Sequence, residues 1–135
     1  MRYVLDACAI IAFLTDEDGA DVVEGLLRRA EAGEIDLLMH YVNLGEVYYH
    51  VFRKDGEDEA NNVYALVTQL PIRFLNIRED ILLMAGKVKA TQRVSYADAF
   101  AIAVSIVEDG ILVTADHHEM EPLEAQDLIS IEWIR

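Results

Sequence analysis

The feature that most constrains this chain is a regular alternation of short apolar runs with longer segments of helical periodicity. Strands are predicted at residues 2–5, 36–40, 72–77, 111–114 and 129–133, the last as an edge strand with one face covered. Helices are predicted at residues 7–14, 20–32, 43–54, 59–70, 78–92 and 95–109. Short strands interleaved with helices are typical of a parallel sheet with helices on both faces. The sequence therefore predicts an α/β fold, a three-layer α/β/α arrangement around a mostly parallel sheet of four to five strands.

Length and composition indicate one globular domain over residues 1–135, since 53% of the residues are hydrophobic and 27% are charged. No apolar stretch approaches the roughly 20 residues that a membrane-spanning helix needs, so no membrane association is expected. Cys8 is the only cysteine, which excludes an intrachain disulfide. The first strand follows Met1 directly, without a secretory leader, and a cytoplasmic location is expected.

The net charge is -14, with 25 acidic residues against 11 lysines and arginines. Such a balance disfavours passive binding of nucleic acid, because cations that meet phosphates supply most of that affinity. A nucleic acid would need multivalent metal ions held in a cleft or a local basic surface. The same acidity would attract a basic protein partner.

Two carboxylates lie just after the ends of predicted strands. Asp6 comes after Val4 and Leu5, and Asp116 follows the run at residues 111–114. In parallel α/β sheets, ligands bind outside the carboxyl ends of the strands. Both side chains are therefore expected at the edge of the sheet where a site would lie.

Two further acids stand three residues after a residue that can cap a helix. They are Glu46, after Asn43, and Asp98, after Ser95. This spacing predicts a capping box and places each acid in the first turn of its helix. Helices that follow strands begin at the same edge of the sheet, so Glu46 and Asp98 are expected near the other two acids.

Helix capping alone explains each acid separately. Asp6 and Asp116 can be N-caps, with Glu119 as the third-position partner of Asp116. Asp98 fits this explanation less well, because its helix is apolar on nearly every side and no Lys or Arg lies nearer in sequence than Arg93. A carboxylate in a buried helix needs a partner.

Four carboxylates at one edge would repel one another, and Mg²⁺ or Mn²⁺ relieves such repulsion because these hard cations prefer carboxylate oxygens and water. Sites of this kind activate water and stabilise the leaving oxygen of a phosphodiester. The pattern therefore predicts metal-dependent hydrolysis of phosphodiester bonds.

The chain resembles the PIN-domain family, and within it the small toxins of VapC type. The resemblance covers essentially the whole chain and rests on the order and spacing of four motifs. These are Val4-Leu5-Asp6, Asn43-Leu44-Gly45-Glu46-Val47, Ser95-Tyr96-Ala97-Asp98-Ala99 and Leu112-Val113-Thr114-Ala115-Asp116.

The resemblance implies a PIN-like nuclease fold, a Mg²⁺- or Mn²⁺-dependent endoribonuclease activity on RNA, a homodimer and neutralisation by a cognate antitoxin protein. It also implies that Asp6, Glu46, Asp98 and Asp116 are the catalytic and metal-binding residues. Ser95 and Thr114 are expected to support the site.

Cys8 departs from the family pattern, which usually has Ser or Thr two residues after the first Asp. A thiol is a weaker hydrogen-bond donor and a softer ligand, so Cys8 is expected to weaken the support of Asp6 or alter metal preference, with activity retained. A buried core thiol is favoured over a nucleophile, since the sequence assigns no base to it.

His117 and His118 follow Asp116, and surface-loop positions are favoured for both over metal binding or proton transfer. A basic extension at His50, Arg53 and Lys54 and a second cluster at Lys87, Lys89 and Arg93 could contact phosphates, but an ordinary solvated helix face is favoured for both.

Two other functions compete with the ribonuclease. A catalytically silent PIN-like interaction module would fit Cys8 and the acidic surface. Phosphotransfer on Asp6 is weaker, because the phosphatase pattern wants a second Asp where Cys8 stands.

Overall fold

A computed structural model describes residues 1–135 as a five-stranded sheet, parallel throughout, with helices on both faces. The strands are β1 (Arg2–Leu5), β2 (Asp36–His40), β3 (Arg73–Leu75), β4 (Ile111–Thr114) and β5 (Ser130–Trp133). Their spatial order is β3-β2-β1-β4-β5, so β5 is an edge strand as predicted. The predicted three-layer α/β/α fold is confirmed.

Seven helices connect and flank the strands. They are α1 (Ala7–Leu14), α2 (Ala20–Glu31), α3 (Tyr41–Asp55), α4 (Glu57–Thr68), α5 (Glu79–Thr91), α6 (Tyr96–Val107) and α7 (His117–Ala125). The prediction of α1 is confirmed at both ends, and β3 is shorter than predicted. α7 was not predicted as a helix, because it is short, mostly polar and contains Pro122.

The two faces of the sheet bury different cores, since side chains alternate along each strand. Leu5, Leu37 and Val113 face a core shared with α1 to α4. Val4, Leu38 and Leu112 face a second core shared with α5, α6 and α7. The helix α6 packs against this second face. Its residues from Ala99 to Ser105 are buried, and the small alanine side chains among them allow it to lie close to the strands.

The strand order places a crevice beside β1. From β1 the chain moves outward to β2 and β3, and it then returns to the other side of β1 to form β4. Connections that leave neighbouring strands in opposite directions open a crevice at the carboxyl ends of those strands. The segments after β1 and β4, which carry Asp6 and Asp116, border this crevice.

None of the helices combines the length and apolar character required to cross a bilayer.

Candidate active site

A cleft of about 290 Å³ lies at the carboxyl ends of β1 and β4. Its lining includes the four acids singled out in the sequence, Asp6, Glu46, Asp98 and Asp116. The structure thus brings together side chains that lie up to 110 residues apart in the chain. Their chemical roles stay predictions.

Asp6 forms the floor of the cleft and is only 1% exposed. It is the N-cap of α1, and its Oδ1 accepts a hydrogen bond from the Ala9 N–H at 2.8 Å. Burial raises the pKa of Asp6 to about 7, and the charges of Glu46 and Asp116 add to the rise. Capping and membership of the acid cluster therefore coexist in one side chain.

Thr114 connects the first and last of the four acids. It is fully buried, and its Oγ1 accepts a hydrogen bond from the Asp116 N–H at 3.0 Å. Its hydroxyl also hydrogen-bonds to the Asp6 carboxylate and thereby lowers the pKa of Asp6. Thr114 thus contacts both acids, and its supporting role stays a prediction.

Asp98 is placed by the start of α6. Ser95 is the N-cap, and its hydroxyl accepts a hydrogen bond from the Asp98 N–H at 3.1 Å. In a capping box the Asp98 carboxylate would return to the Ser95 N–H, but Glu119 takes that place, with its two oxygens 3.3 and 3.5 Å from the Ser95 nitrogen. The Asp98 carboxylate is left to face the cleft.

Glu119 is a residue that the sequence assigned only to capping. Its carboxylate and those of Asp98 and Asp116 each offer an oxygen, and these three oxygens lie within 4.8 Å of one another. The pKa of Asp98 is raised by burial first, and then by a hydrogen bond and charge repulsion from Glu119. The pattern that pointed to Asp98 was an acid three residues after a helix-capping residue at the carboxyl edge of the sheet. Glu119, three residues after Asp116, shows the same pattern.

Glu46 reaches the cleft by a different route from the one predicted. The helix α3 begins at Tyr41, because the His40 imidazole already caps it by accepting the Val42 N–H at 3.0 Å. Asn43 is therefore inside the helix, and the predicted capping box of Asn43 and Glu46 is wrong. Burial raises the pKa of Glu46.

Asn43 acts as a buried bridge instead of a cap. Its Nδ2 donates to Glu46 Oε1 at 3.0 Å and to the Ala97 carbonyl at 3.0 Å. Ala97 precedes Asp98, so one amide group fixes the helices that carry two of the four acids.

Cys8 lines the cleft and is partly exposed, so the expectation of a core thiol is wrong. Its position in the first turn of α1 follows from Asp6 being the cap. Burial and the neighbouring Asp6 charge raise the pKa of Cys8 to about 11. The thiol is therefore neutral near pH 7 and a poor nucleophile.

Neither of the two adjacent histidines lines the cleft. Both are exposed on α7, as the sequence favoured, although in a helix instead of a loop. His117 hydrogen-bonds to Glu121 at 2.7 Å and to the Arg135 carbonyl at 2.8 Å, and its ring stacks on Trp133 at 3.9 Å. The backbone contact with Arg135 is the main cause of the raised pKa of His117.

Two basic side chains line the cleft, His50 from α3 and Arg135 from the segment after β5. Of the basic extension predicted on α3, only His50 lies there, while the Arg53 guanidinium sits over the Tyr49 ring at 5.3 Å. In the second basic cluster, the Lys89 Nζ donates to the Val94 carbonyl at 2.8 Å. The sequence gave no sign of Arg135, because only the tertiary fold carries it to this end of the sheet.

The donor atoms in this cleft fit a hard divalent cation. They are carboxylate oxygens, and those of Asp98 and Asp116 in the lining each lie within 4.8 Å of an oxygen of Glu119, close enough for the three to share one ion. Burial is the main cause of the raised pKa values of Asp6, Glu46 and Asp98, and repulsion from neighbouring carboxylates adds to it. A bound cation would offset that repulsion.

Fold and cleft together define a class of protein: a three-layer α/β/α structure with a group of carboxylates at the carboxyl ends of its central parallel strands. The family model of the PIN domain matches residues 3–121. The chain belongs to the PIN-domain family.

Several solved structures share this fold. VapBC from Salmonella typhimurium bound to DNA aligns with a TM-score of 0.77 and 14% identity, over 100% of this chain and 99% of that chain. VapBC-1 from nontypeable Haemophilus influenzae aligns with a TM-score of 0.72 and 19% identity, over 99% and 98%. VapC20 from Mycobacterium tuberculosis, described as a Sarcin-Ricin loop cleaving toxin, aligns with a TM-score of 0.64 and 18% identity, over 89% and 94%. No curated protein matches this sequence.

Proposed function

We propose that this protein is a metal-dependent endoribonuclease that hydrolyses RNA phosphodiester bonds, and that it is the toxin of a toxin-antitoxin pair. The observation that carries the proposal is the convergence of Asp6, Glu46, Asp98 and Asp116 in one cleft. Membership of the PIN-domain family supports it. The similarity to VapBC complexes and to a toxin described as Sarcin-Ricin loop cleaving adds further support.

Asp98, Asp116 and Asp6 would hold Mg²⁺ or Mn²⁺. Glu119 would be a further ligand, because one of its oxygens lies within 4.8 Å of an oxygen of Asp98 and of Asp116. When bound, the ion lowers the pKa of water and offsets charge on the phosphate. Thr114 keeps the Asp6 carboxylate in one orientation, and the Ser95 cap does the same for the backbone of Asp98.

Glu46 is suited to accept a proton from the attacking water. Its Oε1 is occupied by the Asn43 amide, which leaves Oε2 for this task. Burial raises the pKa of Glu46 toward the working pH, where a general base is most effective. Asp6, by contrast, is buried, and one of its oxygens already accepts the Ala9 N–H.

A cognate antitoxin and a homodimer are part of the proposal. The strong negative charge favours a partner that presents cationic side chains to the cleft or its border. A short reading frame upstream of the gene, encoding a basic segment, would be the expected neighbour.

Cleavage of RNA by the purified protein tests the chemistry. We expect cleavage of single-stranded or structured RNA with Mg²⁺ or Mn²⁺ and none with EDTA. Asp98→Asn should abolish the activity, whereas Glu132→Gln should keep it, because the exposed Glu132 side chain makes no hydrogen bond or salt bridge and lies outside the cleft. Equal cleavage by wild type and Asp98→Asn would refute the assignment.

Calorimetry separates this function from the silent interaction module. Titration of the wild type with Mn²⁺ should release heat that Asp98→Asn does not release. No heat and no cleavage for the wild type would favour the interaction module.

Expression in a bacterial host should arrest growth with the wild type and not with Asp98→Asn, which tests the toxin role.

A further inference from the structure

The acidic cleft contains a guanidinium for which the proposed chemistry has not yet given a use. Arg135 lines the cleft together with five carboxylates, the four discussed above and Glu17. An RNA backbone carries one negative charge per nucleotide and would be repelled by such a surface. The phosphates of the nucleotides next to the scissile bond would meet the same repulsion, and a cationic side chain beside the cleft would offset it.

The backbone before Arg135 is fixed in place by three elements. The Ile134 N–H donates to the Thr114 carbonyl at 3.1 Å, and Ile134 is 5% exposed. The His117 ring contacts the Arg135 carbonyl at 2.8 Å and stacks on Trp133. The segment is thus anchored to β4 and α7, the two elements that flank Asp116.

Gly19 provides the third constraint, from the loop between α1 and α2. A Cβ on Gly19 would lie 2.6 Å from the Ile134 carbonyl oxygen, and Gly19 has a φ of +96° that favours glycine. Only a residue without a side chain lets the segment 134–135 lie this close to the loop. This close approach is a third contact that holds the segment carrying Arg135 beside the cleft.

The contacts of the guanidinium leave it available to a ligand. Nη1 donates to the Asp18 carbonyl at 2.7 Å, and Nη2 lies 3.5 Å from Glu17 Oε1. An arginine has five N–H donors, and the Arg135 side chain is 37% exposed. Exposed ion pairs of this type contribute little to stability, so the contact with Glu17 is a weak reason to hold an arginine in place.

We propose that the Arg135 guanidinium binds a backbone phosphate of the RNA next to the scissile one. It is a substrate-binding residue that positions the strand across the carboxylates. Arginine suits this role because its planar fork can hold two phosphate oxygens at once. The inference rests on the proposed function, since it names how the same cleft holds its substrate.

Binding of a fluorescein-labelled single-stranded RNA, measured by anisotropy at increasing KCl, tests the inference. All variants carry Asp98→Asn, so that cleavage does not interfere. Arg135→Gln should raise the Kd about tenfold and lower the slope of log K against log salt by about 0.7, the value for one phosphate contact on a single strand. Arg135→Lys should keep the slope and lose part of the affinity. Arg28→Gln, which removes another exposed arginine paired with a glutamate, should change neither quantity.

A purely structural role for Arg135 predicts a different result. The melting temperature would fall in Arg135→Gln, while Kd and salt slope would match those of Arg28→Gln; that outcome would overturn the inference. Undetectable RNA binding by the parent Asp98→Asn protein would overturn it as well. Failure of the wild type to cleave RNA would instead count against the proposed function, because the binding assay needs no cleavage.

Two glycine variants test the geometry independently. Gly19→Ala and Gly33→Ala both put a side chain at a positive φ, but a Cβ on Gly33 meets nothing within 4 Å. Gly19→Ala should weaken RNA binding as Arg135→Gln does, and Gly33→Ala should not. Equal RNA binding by the two variants would contradict the proposed placement of Arg135. In active protein, Arg135→Gln should raise KM and leave kcat unchanged.

Discussion

Asp98→Asn should stabilise the metal-free protein while removing its response to metal. The Asp98 carboxylate has oxygens of Asp116 and Glu119 within 4.8 Å. At an effective dielectric constant of about 20, each such pair of charges costs about 3 kcal/mol. Part of this cost is already avoided, because the raised pKa of Asp98 lets it bind a proton, and solvent at the cleft screens the rest. We therefore expect a gain of about 2 kcal/mol at pH 8, which is roughly 5 to 10 °C in melting temperature for a chain of this size.

The pH dependence follows from the sign of the pKa shift. A folded-state pKa above that of the unfolded chain means that the native state binds more protons, so stability falls as pH rises above the ordinary value of 3.8. The advantage of Asp98→Asn should hence be small at pH 5 and largest at pH 8.

Thermal melts in EDTA and in Mg²⁺ at both pH values measure the effect, with Glu132→Gln as the control for loss of one charge. Mg²⁺ should raise the melting temperature of the wild type and of Glu132→Gln, but not that of Asp98→Asn. A variant that melts below the wild type in EDTA at pH 8, or that keeps the full Mg²⁺ shift, would refute the reasoning.

Three further predictions concern residues around the carboxylates. Thr114→Val should lower the free energy of unfolding by about 1 to 3 kcal/mol in urea titrations, because it leaves the half-buried Asp116 N–H without its partner and leaves the buried Asp6 carboxylate with the Ala9 N–H alone. A loss under about 0.5 kcal/mol would contradict this. Cys8 should react with iodoacetamide at pH 8 roughly 100-fold more slowly in the folded protein than in urea, because its pKa of about 11 lowers the fraction of thiolate. Similar rates in the two states would show that the folded protein presents an accessible thiolate. Asn43→Ala should lower the free energy of unfolding by about 2 kcal/mol and also lower kcat, because it removes the hydrogen bonds to Glu46 and to the Ala97 carbonyl. An unchanged kcat would show that Glu46 does not need Asn43 for its role.

The strands were predictable because their signals are local. The runs at β2 and β4 are apolar, short and bounded by polar residues, and their predicted limits are confirmed. The two edge strands, β3 and β5, are shorter than predicted, since an edge strand pairs with one neighbour only. α7 lacks a strong apolar period, and the tertiary contacts of Met120 and Leu123 with the second core define its buried side.

The start of α3 shows where local rules conflict. Asn43 is a good capping residue by type, yet the chain enters the helix earlier because the His40 imidazole at the end of β2 supplies the cap. Which of two possible caps is used depends on where the strand ends against its neighbours, which a single sequence does not specify. The same shift freed the Asn43 amide to bridge Glu46 and Ala97.

The sequence by itself determined the alternation of strands and helices, the class of fold and the placement of acids at the ends of those elements, because periodicity, capping and strand ends are properties of neighbouring residues. Only the tertiary structure decided that Glu119 faces Asp98 and Asp116, and that Arg135 lies at the mouth of the same cleft. These side chains come from segments that meet only when β1, β4 and β5 take adjacent places in the sheet. Distances between such segments depend on strand order and on the packing of both cores, and no local pattern encodes them.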